Sequence, residues 1–241
     1  PGLFWRHNAQ AYSRMGDPED WKDKRVLGAN PCVEQSLESF ELCNLVENFP
    51  AHHDNLDDFK RTLKFSFLYA KTVSLVPTHC PETNKILLRN RRIGNSLSGI
   101  QQFIAKRGIH EARNWLREGY DTIQAYDAKY SSDWFAVPMS VKKTSIKPSG
   151  TVALVAGATP GMHWPVAGEY YIRRINFAKD DELLEPLDDA GYYIEPNIND
   201  KHSVIVEFPV HAGQGLRGEN EVSMWEQLEM AAFLQENWAD N

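Results

Sequence analysis

The stretch Lys147-Pro148-Ser149-Gly150-Thr151-Val152 separates two segments of different pattern and decides the fold class. Residues 141–146 before it have the composition of a short strand, and the apolar run 152–155 after it predicts the start of a short helix. A strand, a turn of small residues and a helix N-terminus make a candidate anion site, because backbone N–H groups and hydroxyls point at the ligand. The Gly-x4-Gly-Lys-Ser/Thr spacing of a P-loop is absent, and a turn of this kind is often merely a turn.

Helical and strand patterns alternate on both sides of this stretch. Apolar residues recur at helical spacing in three segments, which are 56–76, 110–130 and 223–238. Asn55 is expected to cap the first helix, and Ser223 with Glu226 forms a capping box at the third. The strand candidates are 84–88, 141–146, 170–175 and 203–208. Strands separated by helices predict βα units and a largely parallel sheet, so the fold class is α/β, with fewer strands than a complete barrel needs.

Length and composition are those of one ordinary globular domain over residues 1–241. No apolar run approaches the ~18 residues of a membrane span, so no membrane association is expected. The net charge of −7 argues against a surface that coats nucleic acid. Three cysteines are not a disulfide scaffold, and their odd number suits a reducing compartment such as the cytoplasm.

A second segment, Asn30-Pro31-Cys32-Val33-Glu34, contains three chemically active side chains. Pro31 disfavours a helical Asn30, and alternate residues of an extended segment share one face. An amide, a thiol and a carboxylate would then face one side, with the carboxylate as general base and the thiol as nucleophile or redox group. Cys43 is a candidate redox partner, although free cysteine is often a small buried hydrophobe. No metal site is expected, because no histidine stands at ligand spacing from the cysteines.

Three further segments carry weaker signals. Arg91-Arg92 is expected to be a solvated surface pair ahead of the glycines and hydroxyl residues of 94–99. Cys80 lies in a loop-like stretch and is expected to be structural or incidental. Met162-His163 is more typical of a packed loop than of a pocket lining. None of these segments is assigned chemistry on its own.

Together these segments resemble the catalytic chain of the ribonucleotide reductases, and within them the adenosylcobalamin-dependent class II ribonucleoside-triphosphate reductases. The matching phrases occur in the order typical of that family and span nearly the whole chain. They are Asn30-Pro31-Cys32-x-Glu34, Cys43-Asn44-Leu45, the stretch 90–100, Lys147-Pro148-Ser149-Gly150-Thr151-Val152, Ala158-Thr159-Pro160-Gly161-Met162-His163, Tyr170-Tyr171-Ile172-Arg173-Arg174 and Trp238-Ala239-Asp240-Asn241. The resemblance implies part of a ten-stranded α/β barrel whose central finger loop carries Cys32 at its tip.

The resemblance also implies a radical reaction with a role for each site residue. Cys32 matches the cysteine that becomes a thiyl radical and abstracts the 3′ hydrogen of the ribose. Glu34 matches the carboxylate that takes the 3′-hydroxyl proton, Asn30 the amide that hydrogen-bonds the sugar, and Cys43 one of two cysteines that reduce the substrate. The loop that binds the substrate phosphates is matched by Pro148, Ser149, Gly150, Thr151 and Val152.

A cofactor and partners follow from the same resemblance. The implied cofactor is adenosylcobalamin. The implied partners are a ribonucleoside di- or triphosphate substrate, a dithiol reductant such as thioredoxin, and the remainder of a longer parent chain. No partner of nucleic acid or membrane type is expected.

The chain also departs from the family pattern. The resemblance implies an upstream partner for Cys43 and a C-terminal cysteine pair, and neither stands in residues 1–241. With Pro1 in place of a starting Met, this favours an internal fragment of a longer reductase, covering the finger loop and the later part of the barrel. We expect the isolated chain to be inactive. Two alternatives stay open: a class I-like large subunit with a metal-radical partner, and an inert fragment that only binds nucleotide phosphates.

Overall fold

Long helices and short strands alternate along the residues that the computed structural model describes, which are 3–12, 14 and 23–240. The chain divides into a first unit, residues 1–163 with 222–241, and a second unit, residues 164–221. The prediction of one domain over 1–241 stays a prediction, and each unit is described by itself. The arguments from Pro1 and Asn241 concern positions outside the described residues.

The first unit holds most of the helices. Its elements before the second unit are α1 (Arg6–Ala11), β1 (Gly28–Ala29), β2 (Ser36–Leu37), β3 (Leu45–Asn48), a 3₁₀ turn (Pro50–His52), α2 (Leu56–Val73), α3 (Pro81–Asn90), β4 (Gly94–Leu97), α4 (Ile100–Arg107), α5 (Ile109–Lys129), a π-helical turn (Tyr130–Phe135) and α6 (Thr151–Val155). The second unit contains β5 (Tyr170–Ala178), α7 (Leu184–Asp189), β6 (Tyr193–Pro196), β7 (Ser203–His211) and a 3₁₀ turn (Glu219–Glu221). The chain then returns to the first unit as α8 (Met224–Asn237).

The three helices predicted from apolar spacing are confirmed as α2, α5 and α8, with their ends shifted by a few residues. Asn55 caps α2, because its side-chain oxygen accepts a hydrogen bond of 3.0 Å from the Asp58 amide. Ser223 and Glu226 form the predicted reciprocal capping box at the start of α8. These helix starts are determined by local sequence, which is why the pattern alone located them.

The core of the first unit lies between α2, α5 and the C-terminal segment. Phe59 of α2 stacks on Trp115 of α5, with ring centroids 5.7 Å apart. Trp238 is fully buried, and its indole Nε1 donates to the main-chain oxygens of Asn95 at 3.1 Å and Ser145 at 3.0 Å. The segment that follows α8 is therefore hydrogen-bonded to Asn95 and to the segment that contains Ser145.

The parallel strand pair β3–β4 is the βα unit of the first unit, with α2 and α3 in the crossover. The predicted strand 84–88 is wrong, because Pro81 occupies the first turn of α3 and the buried residues there follow a helical spacing. The predicted strand 141–146 is also wrong as a strand. It makes one parallel bridge, Asn95 with Thr144, and main-chain bonds such as Asn95 N to Lys143 O at 2.9 Å.

The second unit is an antiparallel sheet in the order β5-β7-β6. The predicted strands 170–175 and 203–208 are confirmed within β5 and β7, and both strands are longer than predicted. The expectation of a largely parallel sheet is wrong here, because the short connection from β6 to β7 permits only an antiparallel pair. The α/β class is confirmed. No helix among the described residues has the length and apolar character needed to cross a membrane.

Candidate active site

The segment 30–35 is a tight turn that closes the hairpin formed by β1 and β2. The Asn30 amide donates to the Gln35 oxygen at 3.1 Å, and the Asn30 side-chain oxygen accepts from the Gln35 amide at 3.0 Å. The prediction of an extended segment is therefore wrong, because the Asn30 side chain stabilises a turn instead. Val33 lies in the left-handed region with a φ of 62°, and Cys32 is exposed at the tip.

A buried arginine fixes the base of this hairpin. Arg92 pairs with Asp23 at 2.5 Å and with Glu41 at 3.0 Å, and it donates to the Ser36 hydroxyl at 3.3 Å. Burial opposes its charge, but hydrogen bonds and charges from the two carboxylates raise the pKa of Arg92. Arg91 and Arg92 are both buried, so the expected solvated pair is wrong. The distant carboxylates that pair with Arg92 could not be located from sequence spacing.

A cavity of about 370 Å³ opens next to the hairpin tip. Its lining includes Cys32, Glu34 and Pro148, which come from two segments that the sequence singled out separately. Met162 and His163 also line this cavity, so of the two alternatives for this segment the pocket lining, which the sequence favoured less, is the one observed. Thiol, carboxylate and imidazole groups thus border one space.

Glu34 is buried beside this cavity and is held through its main chain. Its carbonyl oxygen accepts from the Ser145 hydroxyl at 2.6 Å. Its side-chain Oε2 is buried without a hydrogen-bond partner among the described residues. A buried carboxylate oxygen with no donor is free to accept a proton or a hydrogen bond from a ligand.

Cys43 lies close to the hairpin rather than at the cavity wall. Its sulfur is 3.6 Å from the Asn30 side-chain nitrogen Nδ2. Burial is the largest cause that raises the pKa of the Cys43 thiol to about 11, and the charges of Glu34 and Cys32 add to it while Lys147 opposes it. The Cys43 side chain is therefore a protonated thiol near neutral pH.

The predicted phosphate loop is only partly at the cavity. Pro148 lines it, whereas Ser149 is buried and its hydroxyl lies 2.5 Å from the Ser98 hydroxyl. Gly150 adopts a φ of 55°, and the predicted short helix is confirmed as α6, which starts at Thr151. Gly150, Thr151 and Val152 are exposed and are not among the lining residues of the described cavity.

Glu47 is a site residue that sequence reasoning missed. Its Oε1 accepts from the hydroxyls of Ser98 at 2.6 Å and Ser96 at 3.2 Å, and its Oε2 is buried without a partner among the described residues. Burial raises the pKa of Glu47 to about 7, against the lowering effect of both serine hydrogen bonds and of Lys147. The available signal was an acidic residue directly after the apolar pair Leu45 and Val46, in a strand that was not predicted.

Within the described ranges 3–12, 14 and 23–240, no group of three or more His, Cys, Asp or Glu side chains is placed to hold a metal ion. The arrangement offers thiols, two buried carboxylates and a hydroxyl pair. These groups suit redox and proton-transfer chemistry.

Comparison with known proteins gives a consistent result. No protein-family model matches the chain. The adenosylcobalamin-dependent ribonucleoside-triphosphate reductase of Euglena gracilis is 56% identical over 242 residues, and a Dictyostelium discoideum relative is 56% identical over the same length. The reductase of the same name from Lactobacillus gasseri is 35% identical over 271 residues. All three alignments cover 100% of this chain.

A solved structure agrees with these relatives. The crystal structure of a B-12 dependent (class II) ribonucleotide reductase matches 97% of this chain with a TM-score of 0.89 and 32% identity. The match covers 36% of that protein, and the chain covers 32% to 36% of the Dictyostelium, Euglena and Lactobacillus relatives. The chain thus spans about a third of the length of the curated relatives it matches, and the resemblance seen in the motifs is confirmed.

Proposed function

Because this chain is homologous over its whole length to about a third of an adenosylcobalamin-dependent ribonucleoside-triphosphate reductase, we propose that it carries the substrate-reducing site of such an enzyme. The reaction is the radical reduction of a ribonucleotide to a deoxyribonucleotide. The observation that carries the proposal is the shared cavity of Cys32, Glu34 and Pro148. The names of the relatives favour this class over a class I-like large subunit.

The finer fold assignment is part of the same proposal. Hairpin β1–β2 corresponds to the finger loop, with Cys32 at its tip. The parallel pair β3–β4 corresponds to two strands of a ten-stranded α/β barrel that the full protein completes. The TM-score of 0.89 to a class II reductase supports this assignment.

Cys32 starts and ends the proposed reaction. Its sulfur-centred radical takes the hydrogen atom from C3′ of the ribose, which forms an S–H bond and leaves the radical on C3′. After the 2′ position has been reduced, the same S–H bond returns its hydrogen atom to C3′. The exposed position of Cys32 on a cavity of about 370 Å³ supports this role, because the thiol is accessible to a sugar.

Glu34 and Asn30 act on the hydroxyl groups of the ribose. Glu34 takes the 3′-hydroxyl proton, which assists departure of the 2′-hydroxyl as water. Its buried and unpartnered Oε2 supports this role, because that oxygen has no competing donor in the described chain. The Asn30 side-chain nitrogen lies 3.6 Å from the Cys43 sulfur, and the amide orients the sugar between the Glu34 carboxylate and the Cys43 thiol.

Cys43 supplies one of the two thiols that reduce the substrate. In the balanced reaction a C2′–OH bond becomes C2′–H, water leaves, and two thiols become one disulfide. A hydrogen donor must be a thiol and not a thiolate. The pKa of about 11, raised chiefly by burial and then by Glu34, supports this role because Cys43 stays protonated at pH 7 to 8.

The remaining assignments concern ligands and compartment. Pro148, Ser149, Gly150, Thr151 and Val152 form the loop that binds the substrate phosphates. The substrate is a ribonucleoside triphosphate, as in the names of the relatives, and a thioredoxin-type dithiol regenerates the thiols. A reducing compartment such as the cytoplasm matches this dependence on free thiols.

Adenosylcobalamin is the proposed cofactor. The exposed Cys32 thiol fits such a group, because a radical generator must reach the sulfur directly. When bound, the cofactor supplies the one-electron chemistry that removes a hydrogen atom from the Cys32 thiol. Every other step is carried out by the side chains of this chain and its reducing partner.

Replacing Cys32 by serine in the full-length reductase tests the proposal. We expect Cys32→Ser to abolish deoxynucleotide formation from CTP with adenosylcobalamin and a dithiol, because an O–H bond cannot replace the S–H bond in radical transfer. The measurement is chromatographic quantification of dCTP. Near-normal turnover of Cys32→Ser would remove the site assignment.

Cys80→Ser is the matched control. Cys80 precedes α3, and its sulfur contacts Glu82 at 3.4 Å rather than any proposed site residue. Cys80→Ser should keep wild-type turnover. Loss of activity in both variants would indicate a general effect of thiol removal and not a radical role for Cys32.

A further inference from the structure

Three hydroxyl and carboxyl groups form a hydrogen-bonded chain between β3 and the proposed phosphate loop. Glu47 Oε1 lies 2.6 Å from Ser98 Oγ, and Ser98 Oγ lies 2.5 Å from Ser149 Oγ. The Gly161 amide also donates to Ser98 Oγ, at 2.8 Å. The chain therefore ends on a residue of the loop 148–152, to which the proposed function assigns phosphate binding.

The number of hydrogens fixes the direction of these bonds. A hydroxyl carries one hydrogen, and an ionised carboxylate carries none. When Glu47 is ionised, Ser98 must donate its single hydrogen to Glu47, and Ser149 must then donate to Ser98 because Ser98 has no second hydrogen. The single hydroxyl hydrogen of Ser149 is then used in the hydrogen bond to Ser98. Toward a ligand, the Ser149 hydroxyl can only accept a hydrogen bond.

A proton on Glu47 reverses the chain. Oε2 has no partner among the described residues, so the proton gains a hydrogen bond only on Oε1, which lies closer to the Ser98 hydroxyl, at 2.6 Å, than to that of Ser96, at 3.2 Å. Glu47 then donates to Ser98, Ser98 donates to Ser149, and the Ser149 hydrogen is free to donate to an anion. We propose that Glu47 is a positioning residue that decides, through Ser98, whether Ser149 can donate a hydrogen bond to a substrate phosphate.

Burial, more than the charges that face it, allows Glu47 to hold a proton near neutral pH. Lys147 lowers the pKa of Glu47 and Glu34 raises it, while burial has the largest effect and brings the value to about 7. The hydroxyls of Ser96 in β4 and of Ser98 directly after it contact the Glu47 carboxyl. A bound phosphate adds negative charge, so nucleotide binding should draw a proton onto Glu47.

This inference rests on the proposed function, and calorimetry with CTP on the full-length reductase tests it in the absence of cofactor and reductant. Titrations at pH 7.5 in two buffers of different ionisation enthalpy measure proton uptake. Wild-type protein should take up a fraction of a proton when CTP binds. Between pH 6 and pH 8 the Kd for CTP should rise for both proteins, and the rise for wild type should exceed that for Glu47→Gln by on the order of tenfold. The amide of Glu47→Gln donates at every pH, so this variant should lack the proton uptake and the additional rise.

Two further variants separate positioning from a merely structural role. Ser149→Ala leaves the Gly161–Ser98 bond in place and should bind CTP at pH 6 only as weakly as wild type does at pH 8. Glu111→Gln changes an exposed glutamate on α5 and should retain the wild-type pH profile. If Glu47→Gln does not fold, Ser149→Ala alone still carries the test.

The outcomes distinguish this inference from the proposed function. Equal proton uptake and equal pH dependence in wild type and Glu47→Gln would overturn the role of Glu47 and leave the reductase assignment standing. A wild-type pH profile in Ser149→Ala would do the same. Failure of the wild-type protein to bind CTP at any pH would overturn both.

Discussion

At the scale of single residues, the two thiols of the proposed site differ in accessibility and in electrostatic surroundings. Cys32 is exposed, whereas Cys43 is half-buried with a pKa raised to about 11 by burial and then by Glu34. A raised pKa leaves only about one Cys43 in a thousand as thiolate at pH 8. We expect iodoacetamide to modify Cys32 well before Cys43, as followed by peptide mass spectrometry of the full-length protein.

The pH dependence of this labelling tests whether the pKa of Cys43 is raised. Thiolate is the reacting form, so the rate at Cys43 should rise about tenfold per pH unit until pH approaches 11. Glu34→Gln removes a negative charge, lowers the pKa of Cys43 and should speed its labelling at pH 8. Glu82→Gln alters the carboxyl beside Cys80 and is the control. Equal labelling of Cys32 and Cys43 at pH 8 would contradict the assigned environment.

At the scale of elements, the contact between α2 and α5 depends on a glycine. A Cβ on Gly119 would lie 2.8 Å from Leu63 Cδ1 and 3.1 Å from Trp238 Cζ3, both in fully buried side chains. Gly→Ala in a helix interior usually stabilises by about 0.5–1 kcal/mol. Here overpacking, which costs about 1–3 kcal/mol, outweighs that gain, so Gly119→Ala should lower the free energy of unfolding.

Urea unfolding followed by circular dichroism measures this effect. Asp121→Ala is the matched control, because it introduces alanine at an exposed position of the same helix. We expect that control to leave the midpoint unchanged or to raise it slightly, since alanine is the better helix former. A higher midpoint for Gly119→Ala would show that α2 can move away from α5 at little cost.

The same elements show which features the sequence can predict. Helices α2 and α8 were located because Asn55 and Ser223 cap their starts by hydrogen bonds to residues only three positions later in the sequence. Strand β3 was missed because a four-residue strand is defined by its partner, and its partner β4 lies far away in the sequence. Residues 141–146 have strand composition but form one bridge only, since their main chain is shared with Trp238 and Asp240.

The candidate site divides in the same way. The motif at Cys32 and Glu34 was recognised because its residue types stand within one short segment. Its turn conformation was not predicted. The turn depends on the hydrogen bond from the Gln35 amide to the Asn30 side-chain oxygen, and the backbone restriction that Pro31 imposes does not determine that bond. Glu47 was missed because its importance arises from Ser98 and Ser149, which follow it by about 50 and 100 positions.

At the scale of the whole molecule, the proposed site draws on three separate parts of the first unit. The hairpin contributes Cys32 and Glu34, the segment around 148–163 contributes Pro148 and His163, and α8 contributes Leu234 to the cavity. The last of these follows the second unit in the sequence and still belongs to the first. A truncation before α8 would therefore remove both a cavity wall and Trp238, although neither lies near the cysteine motif in sequence.

The electron balance of the proposed reaction sets the final expectation for the isolated chain. Each turnover oxidises two thiols to a disulfide, and Cys43 is the reducing thiol assigned among the three cysteines of residues 1–241. The chain spans about a third of its relatives, and the family resemblance implies that the second thiol of the pair belongs to an upstream segment. The 241-residue chain with CTP, adenosylcobalamin and dithiothreitol should therefore form no sustained dCTP, whereas the full-length protein should turn over. More than one dCTP per chain would show that Cys43 does not need that partner.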